Sequence, residues 1–407
     1  MAVTGMGVKT PAGTDLDSYW SNLVAGRTMV GPITGFETPP PLVGYACAVA
    51  DFDAAAYLGH KEARRADRAT QLGFAAAADA IVAAGVDGVD PSRCGVVAGT
   101  GVGGLQTQEH EELVMFERGA DRVSPLLVPM MMPNATAALV AMKHGWTGPN
   151  LCIATACAAG AHAIGEAARL VTQGAADVVV AGGTEAAITP IALAAFGRMG
   201  ALSAAPDGVE RASRPFDARR DGFVMGEGAA FLVLERWEAA EARGATIMGE
   251  LLGYGRNADA FHLTAPSPGG TGAVACMELA LEDAGLSASD IGHVNAHGTS
   301  TPLNDASEAA AITKVFGGGA VPVTSGKGVT GHLIGAAGAA EAVAALLAVR
   351  NGLVPPVANH EHPDPEIEID VVAGAPRPVE PRPVLSNSFG FGGHNASLVL
   401  GVGPAAS

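Results

Sequence analysis

The sequence predicts an α/β fold with buried sheets, on three observations. Short apolar runs alternate with longer helical stretches along the whole chain. Many of those runs end in glycine or a small polar residue, where a strand would hand over to a helix. The two halves also share a rhythm of strand, glycine turn and helix, with a boundary near residues 236–250 and no long linker. A chain of 407 residues can bury a large core in two domains or one two-part unit. Apolar residues make up 48%, aromatics only 5%, and there are 55 glycines. That composition suits closely packed elements and many turns, and is unlike a disordered chain.

Taken in order, residues 2–8 read as a strand ending in glycines, and 16–23 as a short helix. Residues 32–41, rich in Pro and Gly, read as loop. Residues 64–84 read as a helix with an alanine-rich buried face, and 94–98 as a strand entering a glycine run. Residues 150–156 form an apolar strand-like run, and 158–173 carry helical spacing. Strands are expected at 176–181 and 231–234, then a solvated helix over 235–243. The second half repeats the pattern, with helices at 273–284, 306–315 and 336–349. Its strands are expected at 293–296, 321–324, 384–387 and 396–400.

The formal net charge of −17 argues against non-specific binding to nucleic acid or an anionic membrane, while leaving room for a local basic patch. Apolar runs are interrupted well short of a membrane span, and no signal peptide is expected ahead of the first strand. Cys47, Cys94, Cys152, Cys157 and Cys276 are odd in number and scattered, which fits a reducing cytoplasm.

Cys157 stands between the strand-like run and the following helix, where helical N–H groups and the macrodipole favour an anion. That position predicts a lowered thiol pKa and a nucleophile; the competing reading is a buried structural cysteine. The run Gly99-Thr100-Gly101-Val102-Gly103-Gly104 fits a dinucleotide loop only loosely, with no acidic residue clearly ending a second strand some 20 residues on. Pro268 to Gly272 lacks the lysine of a phosphate loop. His360 and His362 lack a third ligand nearby, so no metal site is expected. Three other stretches carry more. His297 ends a strand and is followed by hydroxyls; Lys327 and His332 share a glycine-rich turn; Phe391 stands in a glycine hinge after the last strong strand. All four lie at strand ends, where ligands collect in α/β folds.

In order and wording these motifs resemble the β-ketoacyl-acyl carrier protein synthases of the decarboxylating synthase II type, within the thiolase superfamily. The matching stretches run from Val3-Thr4-Gly5 through Thr155-Ala156-Cys157, Asn295 to Thr301, Lys327 with Thr330-Gly331-His332, and Gly335 to Gly338 with Glu341, to Phe389-Gly390-Phe391-Gly392-Gly393. The resemblance implies a duplicated thiolase-like fold of five layers, αβαβα. Residues 1–240 would carry the nucleophile, and 241–407 the histidines, the lysine and the phenylalanine loop.

It also implies roles. Cys157 would take an acyl chain from a carrier protein's phosphopantetheine arm, with the backbone N–H groups of Cys157 and Phe391 as oxyanion hole. His297 and His332 would stabilise the enolate formed when malonyl-carrier protein loses carbon dioxide. Lys327, with Glu341, would support and orient. Thr299 and Thr301 would hold the pantetheine amides, with Thr264 near the tunnel mouth. Val102 and Phe196 would line the acyl pocket, gated by Phe391, and Met130 to Met132 would lie near pocket and dimer interface. Lys61, Arg64, Arg65 and Arg68, with Arg122 and Arg198, would dock the acidic carrier protein. The resemblance implies no cofactor beyond the carrier's pantetheine, no metal, and a homodimer or a heterodimer with a chain length factor.

The pathway stays divided. Pro302-Leu303-Asn304-Asp305 is similar to type II polyketide ketosynthases, whereas Cys157 to His162 fits the fatty acid type. Phe391 to Asn395 and Pro365 to Asp370 are similar to actinobacterial fatty acid and mycolic acid elongating synthases. A chain length factor, which shares the fold without the cysteine, is the non-catalytic alternative.

Overall fold

Strand β1, Ala2–Lys9, is buried along its whole length. Its glycines let the helix Arg68–Ala84 lie directly on it: a side chain at Gly7 would meet the backbone of Ala76 and Ala80. The computed structural model describes residues 1–403, so the last four residues of the expected second half lie outside it.

In the first half β1 is followed by α1, Leu16–Val24, α2, Ala54–Ala63, and α3, Arg68–Ala84. Strand β2, Cys94–Gly99, leads to α4, Leu105–Arg118, α5, Leu127–Met131, and α6, Ala135–His144. Strand β3, Asn150–Ile153, precedes α7, Ala159–Thr172. Strand β4, Val178–Glu185, α8, Pro190–Arg198, β5, Gly228–Glu235, and α9, Trp237–Ala242, complete this half. The second half runs β6, Gly249–Ala258, α10, Thr271–Ala284, β7, His293–Asn295, α11, Pro302–Phe316, and β8, Pro322–Thr324. It continues with α12, Lys327–Thr330, α13, Ala337–Asn351, β9, Asp370–Val371, β10, Val384–Gly390, and β11, His394–Gly401.

The strand order β9-β8-β7-β10-β11-β6-β1-β5-β4-β2-β3 contains one pattern twice. In each half the first strand pairs antiparallel with the last, as β1 with β5 and β6 with β11. The last then pairs antiparallel with the one before it, which runs parallel to its other neighbour. The halves join where Ala2 and Val3 pair with Glu250 and Gly249. Even the glycine contact recurs: a side chain at Gly255 on β6 would meet Cys276 and Ala280 of α10.

Alternation along the strands sorts the core into layers. Ala230, Leu232 and Leu234 of β5 face a central core with α7 and α13, while Ala229, Phe231 and Val233 face an outer core with α3. In the second half Leu398 faces the centre and Val399 faces α10 and α11. Five layers result, with α7 and α13 sandwiched between the two halves of the sheet. Helix α13 is buried on every side from Ala337 to Val349, as a central helix must be. The segment Ile334–Asn351 is apolar and long enough to cross a membrane, yet 89% of it is buried inside the fold.

Two expectations change, and two elements have no counterpart in the sequence reading. The helix expected over 64–84 begins at Arg68, because the Asp67 carboxylate accepts the Ala69 N–H as an N-cap. Glu235 is a buried strand residue bonded to Arg243 and Thr4, so the solvated helix starts two residues later. Strand β6 gives little sequence signal, because Gly253 and Gly255 break its apolar alternation. Helix α4 gives none, because no residue of it is buried.

Candidate active site

Strand β3 ends at Ile153, short of the expected Ala156. Ala156 takes φ +50, a left-handed conformation uncommon outside glycine. This reversal opens a single 3-10 turn, Ala156–Ala158, that carries Cys157 into the start of α7. Cys157 is buried, at 9% exposure.

The second half brings the two histidines to it. His297 follows β7, and its backbone N–H donates to the buried Glu308 at 2.8 Å, as does that of Gly298. His332 follows α12 and places Nε2 3.0 Å from Cys157 Sγ. The two imidazoles stand edge to face with centroids 5.4 Å apart. Lys327 is fully buried; its Nζ donates to the His297 carbonyl and to Glu341, and lies 3.3 Å from His297 Nδ1.

These contacts orient both rings. The Ile334 N–H donates to His332 Nδ1 at 3.3 Å, and Lys327 offers its N–H to His297 Nδ1. Each ring then carries its proton on Nε2. Cys157, His297 and His332 have donor atoms within 4.8 Å of one another, close enough for a metal ion. A metal-binding imidazole, however, donates its second N–H to a carboxylate or carbonyl. Here both second nitrogens face donors, so the donor set does not fit a metal; it fits two N–H groups aimed at an oxygen.

Burial pushes the Cys157 thiol up to about 11, against the pull of Lys327 and of the Phe391 and Cys157 N–H groups. The lowered pKa expected from the helix start is therefore corrected: desolvation outweighs the helix terminus. Burial, then the Lys327 charge, holds His297 and His332 well below the usual histidine range, so both are neutral. Burial pushes Glu341 up and Lys327 pulls it back.

A cavity of about 520 Å³ opens over this cluster. Val102, Phe196 and Phe391 line it, as do Thr299, Thr301 and Thr264. The Thr299 and Thr301 hydroxyls are 2.8 Å apart, and Thr264 is tied to His262 at the mouth. An aromatic file runs from Phe391 to Phe196 (6.4 Å), Phe223 (5.4 Å) and His332 (5.4 Å). Phe223, Ile334 and Asn304 also line the cavity and went unassigned in the sequence, as did Glu308 behind His297. Glu308 had a readable signal, an acidic residue amid the alanines of a helix. Met130 to Met132 are not among the lining residues; the Met131 carbonyl accepts the Gly104 N–H behind the Val102 loop.

Lys61 in the last turn of α2 and Arg64 and Arg65 between α2 and α3 are exposed, and Arg122 and Arg198 are exposed elsewhere. Arg68 does not join them. Its guanidinium turns inward to Glu227 at 2.9 Å and the Val49 carbonyl at 2.9 Å. It braces the fold and is not free to dock.

Residues 1–240 match the family described as Beta-ketoacyl synthase, N-terminal domain, and residues 248–361 match its C-terminal domain. The chain belongs to the β-ketoacyl synthase family. It is 46% identical over 404 residues to the 3-oxoacyl-(acyl-carrier-protein) synthase 2 of Synechocystis sp., covering 98% of this chain and 97% of that protein. Among solved structures it is similar to the ishigamide ketosynthase/chain length factor, with TM-score 0.91, 35% identity and 99% of each chain covered. It is also similar to a type II polyketide ketosynthase solved with its acyl carrier protein, with TM-score 0.90, 31% identity and 99% of each chain covered. In this β-ketoacyl synthase the thiolase-like fold expected from the sequence is present.

Proposed function

We propose that this β-ketoacyl synthase extends an acyl chain by two carbons through decarboxylative condensation with malonyl-acyl carrier protein. The observation that carries the reading is His332 Nε2 at 3.0 Å from Cys157 Sγ, with His297 beside it at the base of the cavity.

In the first step Cys157 sulfur attacks the thioester carbonyl of the acyl-carrier protein. Its bond to carbon forms as the bond to pantetheine sulfur breaks. The thiol proton ends on the departing pantetheine, so the exchange is proton-neutral. The oxyanion forms beside the N–H groups of Cys157 and Phe391, the same groups that reach Sγ. In the second step malonyl thioester occupies the pantetheine side, near Thr299 and Thr301. Its C–CO₂ bond breaks, and the electron pair becomes an enolate whose oxygen accepts from the Nε2–H groups of His297 and His332. The enolate carbon attacks the acyl carbonyl on Cys157 and the sulfur leaves as thiolate, which takes one proton from solvent to restore the thiol for the next turnover. Carbon dioxide and a β-ketoacyl-carrier protein are the products. Neutral rings suit this work, because an imidazole N–H donates without releasing a proton. Lys327 and Glu341 hold His297 in that role.

The partner is an acidic acyl carrier protein, docked on Lys61, Arg64 and Arg65, with Arg122 and Arg198 as further contacts. No cofactor is needed beyond its pantetheine arm. Residues 1–240 and 241–407 act as two halves of one catalytic unit, in the cytoplasm, where the five unpaired cysteines are stable. A second copy of the chain is the favoured partner subunit. Support comes from β3, the last strand of the sheet, and from exposed Leu151, Leu113 and Phe116.

Likeness to the ishigamide and polyketide ketosynthases favours a second reading, a ketosynthase subunit that works beside a chain length factor. Intact-mass measurement after mixing with acyl-carrier proteins of several chain lengths separates the two. Saturated acyl adducts on the chain alone support the first reading. No adduct until a chain length factor is added supports the second, and no adduct in either case refutes both.

A further inference from the structure

Glu185 ends strand β4 and is fully buried. Its carboxylate accepts from four donors on two separate loops. From the loop after β2 come the Thr100 hydroxyl at 3.0 Å, the Gly101 N–H at 2.6 Å and the Val102 N–H at 3.4 Å. From the second half comes the Gly335 N–H at 3.0 Å. The Thr100 oxygen in turn accepts the Gly103 N–H at 3.1 Å, so Glu185 holds residues 100–102 directly and Gly103 through Thr100.

Both loops belong to the cavity. Gly101, Val102 and Ile334 line it, and Ile334 is the residue whose N–H orients His332. Ile334 takes φ +48, a conformation that a β-branched side chain strongly disfavours. Such a residue persists only where its surroundings over-determine it. Here the determinants are the Glu185 bond to Gly335 on one side and the bond to His332 Nδ1 on the other. The loops also touch: a side chain at Gly101 would lie 2.6 Å from the Glu185 carboxylate and 2.9 Å from Ile334. Glu185 lies behind the wall and does not line the cavity.

We infer that Glu185 is a positioning residue that locks the Val102 wall and the His332 turn into one unit, so that condensation depends on it more than acylation does. The inference rests on the ketosynthase reading above. Acylation uses Cys157 and the N–H groups beside it, none of which Glu185 hydrogen-bonds; the Glu185 charge only raises the thiol pKa, so its removal in Glu185→Gln does not hinder ionisation of Cys157. Condensation needs His332 Nε2–H in place on the enolate oxygen, and small misplacements of such a group are costly.

The test measures both steps separately on wild type, Glu185→Gln and Thr100→Val. Acylation by a short saturated acyl-carrier protein is followed by intact mass, and condensation with malonyl-carrier protein by product formation. Glu185→Gln sets an NH₂ group against N–H donors; condensation is expected to fall about tenfold or more while short-chain acylation stays within about twofold. Thr100→Val removes one donor and frees Gly103, and a smaller split in the same direction is expected. It carries the test if thermal melting shows that Glu185→Gln does not fold. Equal losses in both steps, or no loss in either, would overturn the role of Glu185. Failure of the wild type to form any acyl adduct would instead remove the ketosynthase reading itself.

Discussion

His332 and Cys157, 175 residues apart in the chain, meet with Nε2 and Sγ at 3.0 Å. The contact crosses from one half of the duplicated fold to the other, so neither half holds a complete site. Replacing Cys157 tests what the contact is for. Cys157→Ala is expected to abolish acyl adducts and lower condensation by about 10⁴-fold or more, as loss of a nucleophile does. Removal of one small side-chain atom should shift stability by no more than about 1 kcal/mol. Intact mass, a condensation assay and thermal melting read these outcomes. Persistent malonyl-dependent condensation would show the nucleophile to lie elsewhere.

The two histidines divide from the cysteine in what they do. His297→Ala and His332→Ala should still accept acyl chains on Cys157, while condensation falls by about 10²- to 10³-fold for each donor lost. Single-turnover mass spectrometry compared with steady-state product formation gives the two rates. Equal loss of both would assign the rings to acyl transfer instead.

The raised thiol pKa has a pH signature. The thiolate is the reactive form, and burial favours the thiol, so thiolate appears only as pH rises toward about 11. Alkylation of Cys157 by iodoacetamide, located by peptide mapping, should therefore climb steadily across the neutral and mildly alkaline range. A plateau below pH 8 would mean that Lys327 and the two N–H groups outweigh desolvation.

Arginines next to one another in sequence should behave differently. Charge reversal at Arg64 and Arg65 is expected to raise KM for the acyl-carrier protein about tenfold with kcat little changed, an effect that fades as salt is added. Arg68→Ala should instead lower stability by about 1–3 kcal/mol, because buried Glu227 loses its partner. Denaturant titration and steady-state kinetics on each variant separate docking from bracing.

The sequence by itself determined the fold class and the reactive groups. Strands buried on both faces leave continuous apolar runs, and amphipathic helices leave a 3.6-residue period, so β4, β5 and α7 were readable from local pattern. Cys157, His297, Lys327, His332 and Phe391 were readable because their motifs stand at strand ends. Tertiary structure decided the rest. Whether Arg68 docks or braces depends on Glu227, 159 residues away. Whether Cys157 ionises easily depends on how completely the second half buries it, and desolvation is invisible in a list of neighbours along the chain. The tautomer of His332 depends on the Ile334 N–H, and the left-handed turn at Ile334 stands beside Glu185 of the other half. Local pattern records what a segment prefers; charge, protonation and strain are set by what packs against it.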